Sequence, residues 1–286
     1  MPVTGKTITN ALVQYAAVLA IWASVPVVGL SLVARSAGAD TQFLTLTPSY
    51  IPSFIGLGAG SYPEYLGADE QKFGVAPFGR FSWGEQRYVA LEVNFATINL
   101  IEDRNWRAGP AGMWRFARED VEDPVVNLLP DVSGSLELGG FAGYEDVGDD
   151  PRDRWSVFGN FTHGVTGDND GYVVGVSARR WVPVGRFSAL GFSFATSYGS
   201  SNYMDTYFSV DQHGAVASGL DFFDAGAGVR DVRIAAVYIQ PLSREWQVGG
   251  GFLFSRLLSD AADTPIVSER GDRNQLVFGI GMTRAF

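Results

Sequence analysis

The stretch Phe187-Ser188-Ala189-Leu190-Gly191-Phe192-Ser193-Phe194-Ala195-Thr196-Ser197-Tyr198 alternates large apolar residues with small or polar ones. Leu190, Phe192, Phe194 and Tyr198 fall on one face. Ala189, Gly191, Ser193, Ala195 and Ser197 fall on the other. Period two marks a strand, because successive side chains leave an extended backbone on opposite sides. A soluble sandwich would bury the large face against a second sheet. A membrane barrel turns that face to lipid and keeps small or polar residues inside.

The pattern recurs outward from this stretch. In 135–145, Leu136, Leu138 and Tyr144 oppose Glu137, Gly139, Gly143 and Glu145. In 171–182, Tyr172, Val174, Val176 and Ala178 share a face, and in 245–257 Trp246, Val248, Phe252 and Phe254 do. The last segment sets Leu276, Phe278, Ile280, Met282 and Phe286 against Gln275, Gly279, Gly281 and Thr283.

Composition agrees with a barrel. Charged residues are 18% of the chain against a usual share of roughly 25%, while aromatics reach 13% and glycines number 35. So many aromatics argue against a disordered chain. The chain has no cysteine, which excludes a disulfide scaffold, a thiol nucleophile and a cysteine metal site. A net charge of −10 argues against a nucleic-acid partner.

The first forty residues read as an address. Lys6 is followed by 28 uncharged residues before Arg35, and Ala37-Gly38-Ala39 precedes Asp40. A basic start, an apolar middle and small residues at −3 and −1 predict a secretory signal peptide over 1–39, cleaved after Ala39, and a barrel over 40–286. The competing reading is an uncleaved anchor, interrupted by Pro26 and Gly29.

Ten strands are expected near 51–60, 72–81, 105–117, 133–145, 154–163, 171–182, 187–198, 229–240, 245–257 and 274–286. Short connections at Ser82 to Gln86, Asp146 to Asp153, Pro183 to Arg186 and Pro241 to Arg244 belong on the periplasmic side. Longer ones at 61–71, 118–132, 199–228 and 259–272 belong outside. This puts Phe286, the expected assembly signal, at the periplasmic rim. An even strand number then requires 87–101 to supply two strands or none. Its 15 residues fall short of the roughly 18–22 that two full spans need. The expected fold is an all-β, antiparallel transmembrane barrel of twelve strands, with ten as the alternative.

The polar faces carry Glu92, Arg107, Arg115, Glu137, Glu145, Asp231, Arg233 and Arg256. Opposed charges of this kind can pair across a narrow lumen, while any near strand ends would sit in water. The long loop 199–228 holds Tyr203, Met204, Tyr207, Phe208, Phe222 and Phe223. Aromatics are costly to leave in water, so the loop is a plug, a binding surface, or a prolongation of the preceding strand over Tyr203 to Val210.

Four stretches resemble the MipA/OmpV family of outer-membrane proteins. They are Gly56-Leu57-Gly58-Ala59-Gly60 with Pro63 to Asp69; Asn105 to Pro110 with Leu136 to Phe141; Tyr203 to Val210 with Ala217 to Leu220, Asp224 to Gly228 and Asp231-Val232; and Ser255 to Val267 with Arg270-Gly271 and Asn274-Gln275. The chain departs from the family at Arg284, where an aromatic is usual. The resemblance implies a barrel of the bacterial outer membrane, in contact with its lipid, without known enzymatic chemistry. It implies a scaffold joining a lytic murein transglycosylase to a penicillin-binding protein. Other members are associated with envelope stress, adhesion or antibiotic response. A narrow channel for small solutes is the rival function, since larger barrels leave aqueous pores.

No catalytic, cofactor or metal site is expected. His163 shares a segment with Ser156 and Asn160, but spacings of three and seven along one strand do not bring a base to a hydroxyl. Asp168-Asn169-Asp170-Gly171 opens like a calcium loop, yet its twelfth position is Arg179, where a bidentate Glu is needed.

Overall fold

A computed structural model describes residues 53–286. In it the period-two segments become β1 (Phe54–Pro63), β2 (Gln71–Trp83), β3 (Arg87–Glu92), β4 (Phe95–Asn99), β5 (Trp106–Arg115), β6 (Ser135–Val147), β7 (Arg154–Gly164), β8 (Tyr172–Val184), β9 (Ser188–Gly199), β10 (Gly228–Pro241), β11 (Trp246–Leu257) and β12 (Asn274–Ala285). Each pairs antiparallel with its sequence neighbours, and β12 closes on β1, with Phe54 opposite Ala285 and Gly60 opposite Gly279. The predicted signal segment, with cleavage after Ala39, lies outside the described residues. Among the described residues no helix is long and apolar enough to cross a membrane.

Alternation fixes which side of the wall each residue meets. In β9, Phe192, Phe194 and Tyr198 are exposed on the outer surface, while Ala189, Ala195 and Ser197 are buried. In β12, Leu276, Phe278, Ile280 and Met282 are all exposed. Aromatics group on this outer surface. Trp106 and Tyr144 meet edge-on at 5.3 Å, and Tyr144 meets Trp155 at 5.5 Å, near one rim. Phe161 and Tyr172 lie 5.6 Å apart near the other. Two girdles flanking an apolar band are what a lipid-facing barrel presents at its two interfaces.

The two rims differ. Short turns and both described chain ends share one rim, where the Phe286 N–H donates to the Ser53 carbonyl at 3.1 Å. The connections 64–70, 116–134, 200–227 and 258–273 crowd the other. There they add α1 (Ser201–Phe208), α2 (Gln212–Ser218), α3 (Asp260–Asp263), α4 (Pro265–Ser268) and a 3-10 turn at Val126–Leu128.

The segment 87–101 supplies two strands, so the count is twelve and the ten-strand alternative is wrong. The shortage of residues shows as a short hairpin. β3 pairs with β2 only from Phe78 to Trp83, and β4 pairs with β5 only from Ala111 to Met113. Gln71–Pro77 of β2 therefore has a strand on one side only, β1. Pro77 sits where the β3 ladder stops, and proline, with no N–H to donate, is tolerated at such an edge. The hairpin tip is the two-residue turn Val93-Asn94, with Val93 at φ 59°. A β-branched residue in that region is strained. The Asn94 amide ties the tip down by donating to the Trp114 carbonyl at 2.8 Å, and the Trp114 N–H donates to the Asn94 carbonyl at 2.9 Å.

Candidate functional site: a charged lumen beneath a helical plug

The long-loop rim is covered from within. α1 starts at Ser200, whose hydroxyl accepts from the Tyr203 N–H at 3.4 Å and from the Tyr172 N–H at 2.9 Å. A serine N-cap satisfies donors that the first helical turn cannot. Tyr203, Met204 and Phe208 are fully buried. They pack with Val173, Ala225, Leu257, Ala261, Ala262 and Val267, so α1 and α3 share one core. A second core joins Tyr65, Val121, Val126, Leu129, Val210, Leu220 and Ile266 from all four loops. Fully burying a side chain of this size contributes about 1.5–3 kcal/mol. The three α1 side chains alone therefore hold the plug far more tightly than thermal energy would release it. The reading of Tyr203 to Val210 as a strand prolongation is wrong, because i,i+4 contacts set this segment's geometry: the Tyr203 and Tyr207 rings lie 4.8 Å apart. Tyr207 is half-buried, and its hydroxyl meets Ser135 Oγ at 3.2 Å.

Gly171 is the contact point between wall and plug. A Cβ there would lie 2.2 Å from the Tyr203 backbone nitrogen. Only glycine lets the helix start sit this close to β8.

Beneath the plug lies a charged layer. Arg115 on β5 pairs with Glu137 on β6, which is fully buried. Thr162 Oγ1 and Asn169 Nδ2 also donate to the Glu137 carboxylate, each at 2.8 Å. A β-bulge at Val229–Asp231 turns both Arg230 and Asp231 inward. The Asp231 carboxylate accepts from Arg230 Nε at 2.7 Å, from Arg233 Nε and Nη2 at 2.8 Å each, and from Ser197 Oγ at 3.0 Å. Tyr203 joins the two clusters. Its hydroxyl accepts from Arg230 Nη1 at 2.5 Å, and its ring lies 4.8 Å from the Arg115 guanidinium carbon and 5.2 Å from that of Arg230.

A second layer lines the short-turn half. Arg107 donates to the Asp103 and Arg104 carbonyls and to Gln86 Oε1. It also lies 3.4 Å from Glu145, which is 3.5 Å from Arg154. Arg154 stacks over Trp181 at 5.3 Å, Arg80 over Tyr88 at 3.9 Å and Arg179 over Phe158 at 5.6 Å. Glu92 is buried on β3 in the same layer.

The structure thus brings Arg107, Arg115, Glu137, Asp231 and Arg233 inside, with Tyr203, Tyr207 and Phe208 above them. Arg256 does not join them. It is exposed on the outer surface, where Nη1 donates to Asn274 Oδ1 at 2.7 Å. Its number is even, like those of Phe252 and Phe254, so alternation sends it outward with them. Arg230, Arg80, Arg154 and Arg179 are inward residues that sequence reasoning missed. Parity alone would have flagged Arg154 and Arg179; the bulge hides Arg230. His163 faces outward, its Nδ1 2.6 Å from the Gly164 carbonyl, while Ser156 and Asn160 are buried on the opposite face. Asp168 accepts from the Ser133 N–H at 2.7 Å, and Asn169 Oδ1 from the Gly171 N–H at 2.9 Å, so these side chains serve the loop.

Outside the wall, the loops are pinned by ion pairs. Glu64, 1% exposed, pairs with Lys72 at 2.5 Å. Asp123 accepts from Arg270 Nη2 at 2.5 Å. Burial alone would push the Asp123 carboxyl up. Hydrogen bonds from Arg270 and from the Val126 and Val125 N–H groups outweigh it and hold the group below the ordinary aspartate value.

The family model described as "MltA-interacting protein MipA" matches residues 55–286. Outer membrane protein OmpV of Vibrio cholerae is 30% identical over 107 residues, 37% of this chain and 40% of that protein. Outer membrane protein Omp26La of Vibrio anguillarum is 28% identical over 107 residues, with the same shares covered. The matched part thus spans about 40% of the length of these curated relatives. Among solved structures, Pseudomonas putida OprB aligns at TM-score 0.39 and 14% identity over 75% of this chain and 59% of its own. The CymD monoaromatic hydrocarbon channel aligns at TM-score 0.39 and 12% identity over 91% and 96%.

Proposed function

The chain belongs to the MltA-interacting protein MipA family of outer-membrane barrels, and from that premise we propose that it works as a closed interaction barrel rather than as a pore. The observation that carries this reading is the plug: α1 is buried under the long loops and pinned to the lumen charges through Tyr203. A wall closed at its outer mouth offers solutes no through-path, and leaves the short-turn rim as the face available to the periplasm. The partner suited to that face is a murein transglycosylase, with a penicillin-binding protein joined through it, as the family description and resemblance suggest. Two measurements test the reading. Purified protein in planar bilayers is expected to give no steady openings, and sustained ion-selective conductance would establish the channel alternative instead. Affinity capture from envelope extracts is expected to enrich a murein transglycosylase, and capture of murein synthases and hydrolases at background level would remove the scaffold role.

A further inference from the structure

The short-turn half of the lumen carries more positive charge than it neutralises. Four guanidiniums, Arg80, Arg107, Arg154 and Arg179, face inward there with two carboxylates, Glu92 and Glu145. Glu145 is shared between Arg107 and Arg154. Arg179 has no hydrogen-bonding partner at its buried Nε; it stacks on the Phe158 ring, with the Glu92 and Glu145 carboxylates acting on it from beyond contact distance. Arg80 bonds only Ser82 Oγ, at 3.2 Å, besides lying over Tyr88. Neither has a carboxylate within ion-pair distance among the described residues. This excess sits inside a protein whose net charge is −10.

The orphaned lumen atoms have one sign. Arg107 Nε, Arg179 Nε and Asn160 Nδ2 are buried without a hydrogen-bond partner, and all three are donors. Arg107 and Asn160 are 3% and 9% exposed. A buried donor without an acceptor is costly, more so when charged. Three such donors lining one lumen, together with surplus positive charge, call for an acceptor-rich anion. Stacking on aromatic faces restrains the guanidinium planes of Arg80, Arg154 and Arg179.

The side of the ring away from most of these arginines carries few side chains. Around the ring, β12 and β1 stand opposite β6 and β7. On β11, β12 and β1 the inward positions Gly249, Gly251, Gly279, Gly281, Gly58 and Gly60 carry no side chain and are all partly exposed. Arg107, Arg154 and Arg179 therefore face a wall built mostly from glycine, with the Phe78 ring lying across Gly56, Gly58 and Gly281 and Arg80 at its edge on β2. Among the described residues no helix covers the short-turn end, the side from which a periplasmic solute would reach these residues.

We infer that the short-turn half of the lumen is an oxyanion site, in which Arg80, Arg107, Arg154 and Arg179, with Asn160, receive the phosphate or carboxylate groups of a periplasmic solute. Planar guanidinium forks suit both groups, and the surplus of two positive charges suits a dianion.

The test uses the full chain folded in detergent at low ionic strength, with isothermal titration of inorganic phosphate and, separately, of succinate. Saturable binding of at least one is expected, and the tighter of the two identifies the chemical source. The double variant R80Q/R179Q is expected to weaken that binding at least tenfold, R179K to weaken it less, and R256Q to leave it unchanged. Heat-modifiable migration on gels confirms that each variant is a folded barrel, and R179Q alone serves if the double variant does not fold. The site is refuted if the folded wild type binds neither anion saturably, or if a folded variant lacking Arg179's charge binds as tightly as wild type. Neither result depends on the murein partner, so the site and the scaffold role fail separately.

Discussion

Arg230 Nη1 donates to the Tyr203 hydroxyl at 2.5 Å while its guanidinium carbon stands 5.2 Å from the centre of the same ring. One side chain on the wall thus holds the plug by its tip and by its face. Tyr203→Phe keeps the ring and removes the acceptor, leaving a buried charged donor one bond short. The expected loss is about 1–3 kcal/mol in urea unfolding followed by tryptophan fluorescence. Tyr203→Ala also removes the buried ring, and about 3–5 kcal/mol is expected, with current bursts appearing in planar bilayers.

Gly171→Ala is expected to act on the same plug from the wall. A Cβ 2.2 Å from the Tyr203 nitrogen forces the helix start outward. Overpacking of this kind costs about 1–3 kcal/mol. Chymotrypsin is expected to cut within Tyr203–Phe208 in the variant and to spare that segment in the wild type.

Removing one partner of the Arg115–Glu137 pair strands the other in a buried site. Glu137→Ala is expected to destabilise by about 3–5 kcal/mol. Arg115→Met combined with Glu137→Leu is expected to recover part of that loss, because both charges are gone. A measured cost for the double variant equal to the sum of the single ones would show that the two residues do not act as a pair.

The Asp123–Arg270 clasp is expected to open in acid. Asp123 titrates below the 3.8 of an unfolded aspartate, so its stabilisation is fully present above that value. It is lost as pH falls through the lower, folded value. Pepsin is expected to cut loop 116–134 faster as pH drops through this range, and Asp123→Asn is expected to show the fast rate throughout.

Val93→Gly is expected to stabilise the barrel by about 0.5–1 kcal/mol, since glycine adopts φ 59° without strain. Val93→Ala, which keeps a Cβ at the same φ, is expected to give less. The comparison is made by urea midpoint in the same detergent.

The wall was legible because lipid makes its rule simple: Phe192, Phe194 and Tyr198 must point out, so Ser193 and Ser197 point in. Even the shortage of residues in 87–101 was informative, since it became a short hairpin instead of a missing one. The plug was less legible. Tyr203/Tyr207 and Met204/Phe208 stand at helical spacing, and Ser200 and Asp211 are good N-caps, but α1 and α2 are too short for periodicity to separate them from a loop. Arg230 escaped because a bulge resets parity, and no period-two count reveals where a bulge falls. The loop cores around Ile266 and Val126 depend on contacts between distant segments, which a single sequence does not state.

The short β3–β4 hairpin makes the circumference mechanically uneven. Elsewhere each pair of neighbouring strands is matched over at least eight residue pairs; here the matches number six, five and three. Lateral tension in the bilayer, or a pull from a bound enzyme, spreads around a ring and parts it at its shortest row of stitches. This barrel would therefore split along β4 and β5 before any other seam. Its lumen would then open sideways into lipid while the plugged rim stayed shut.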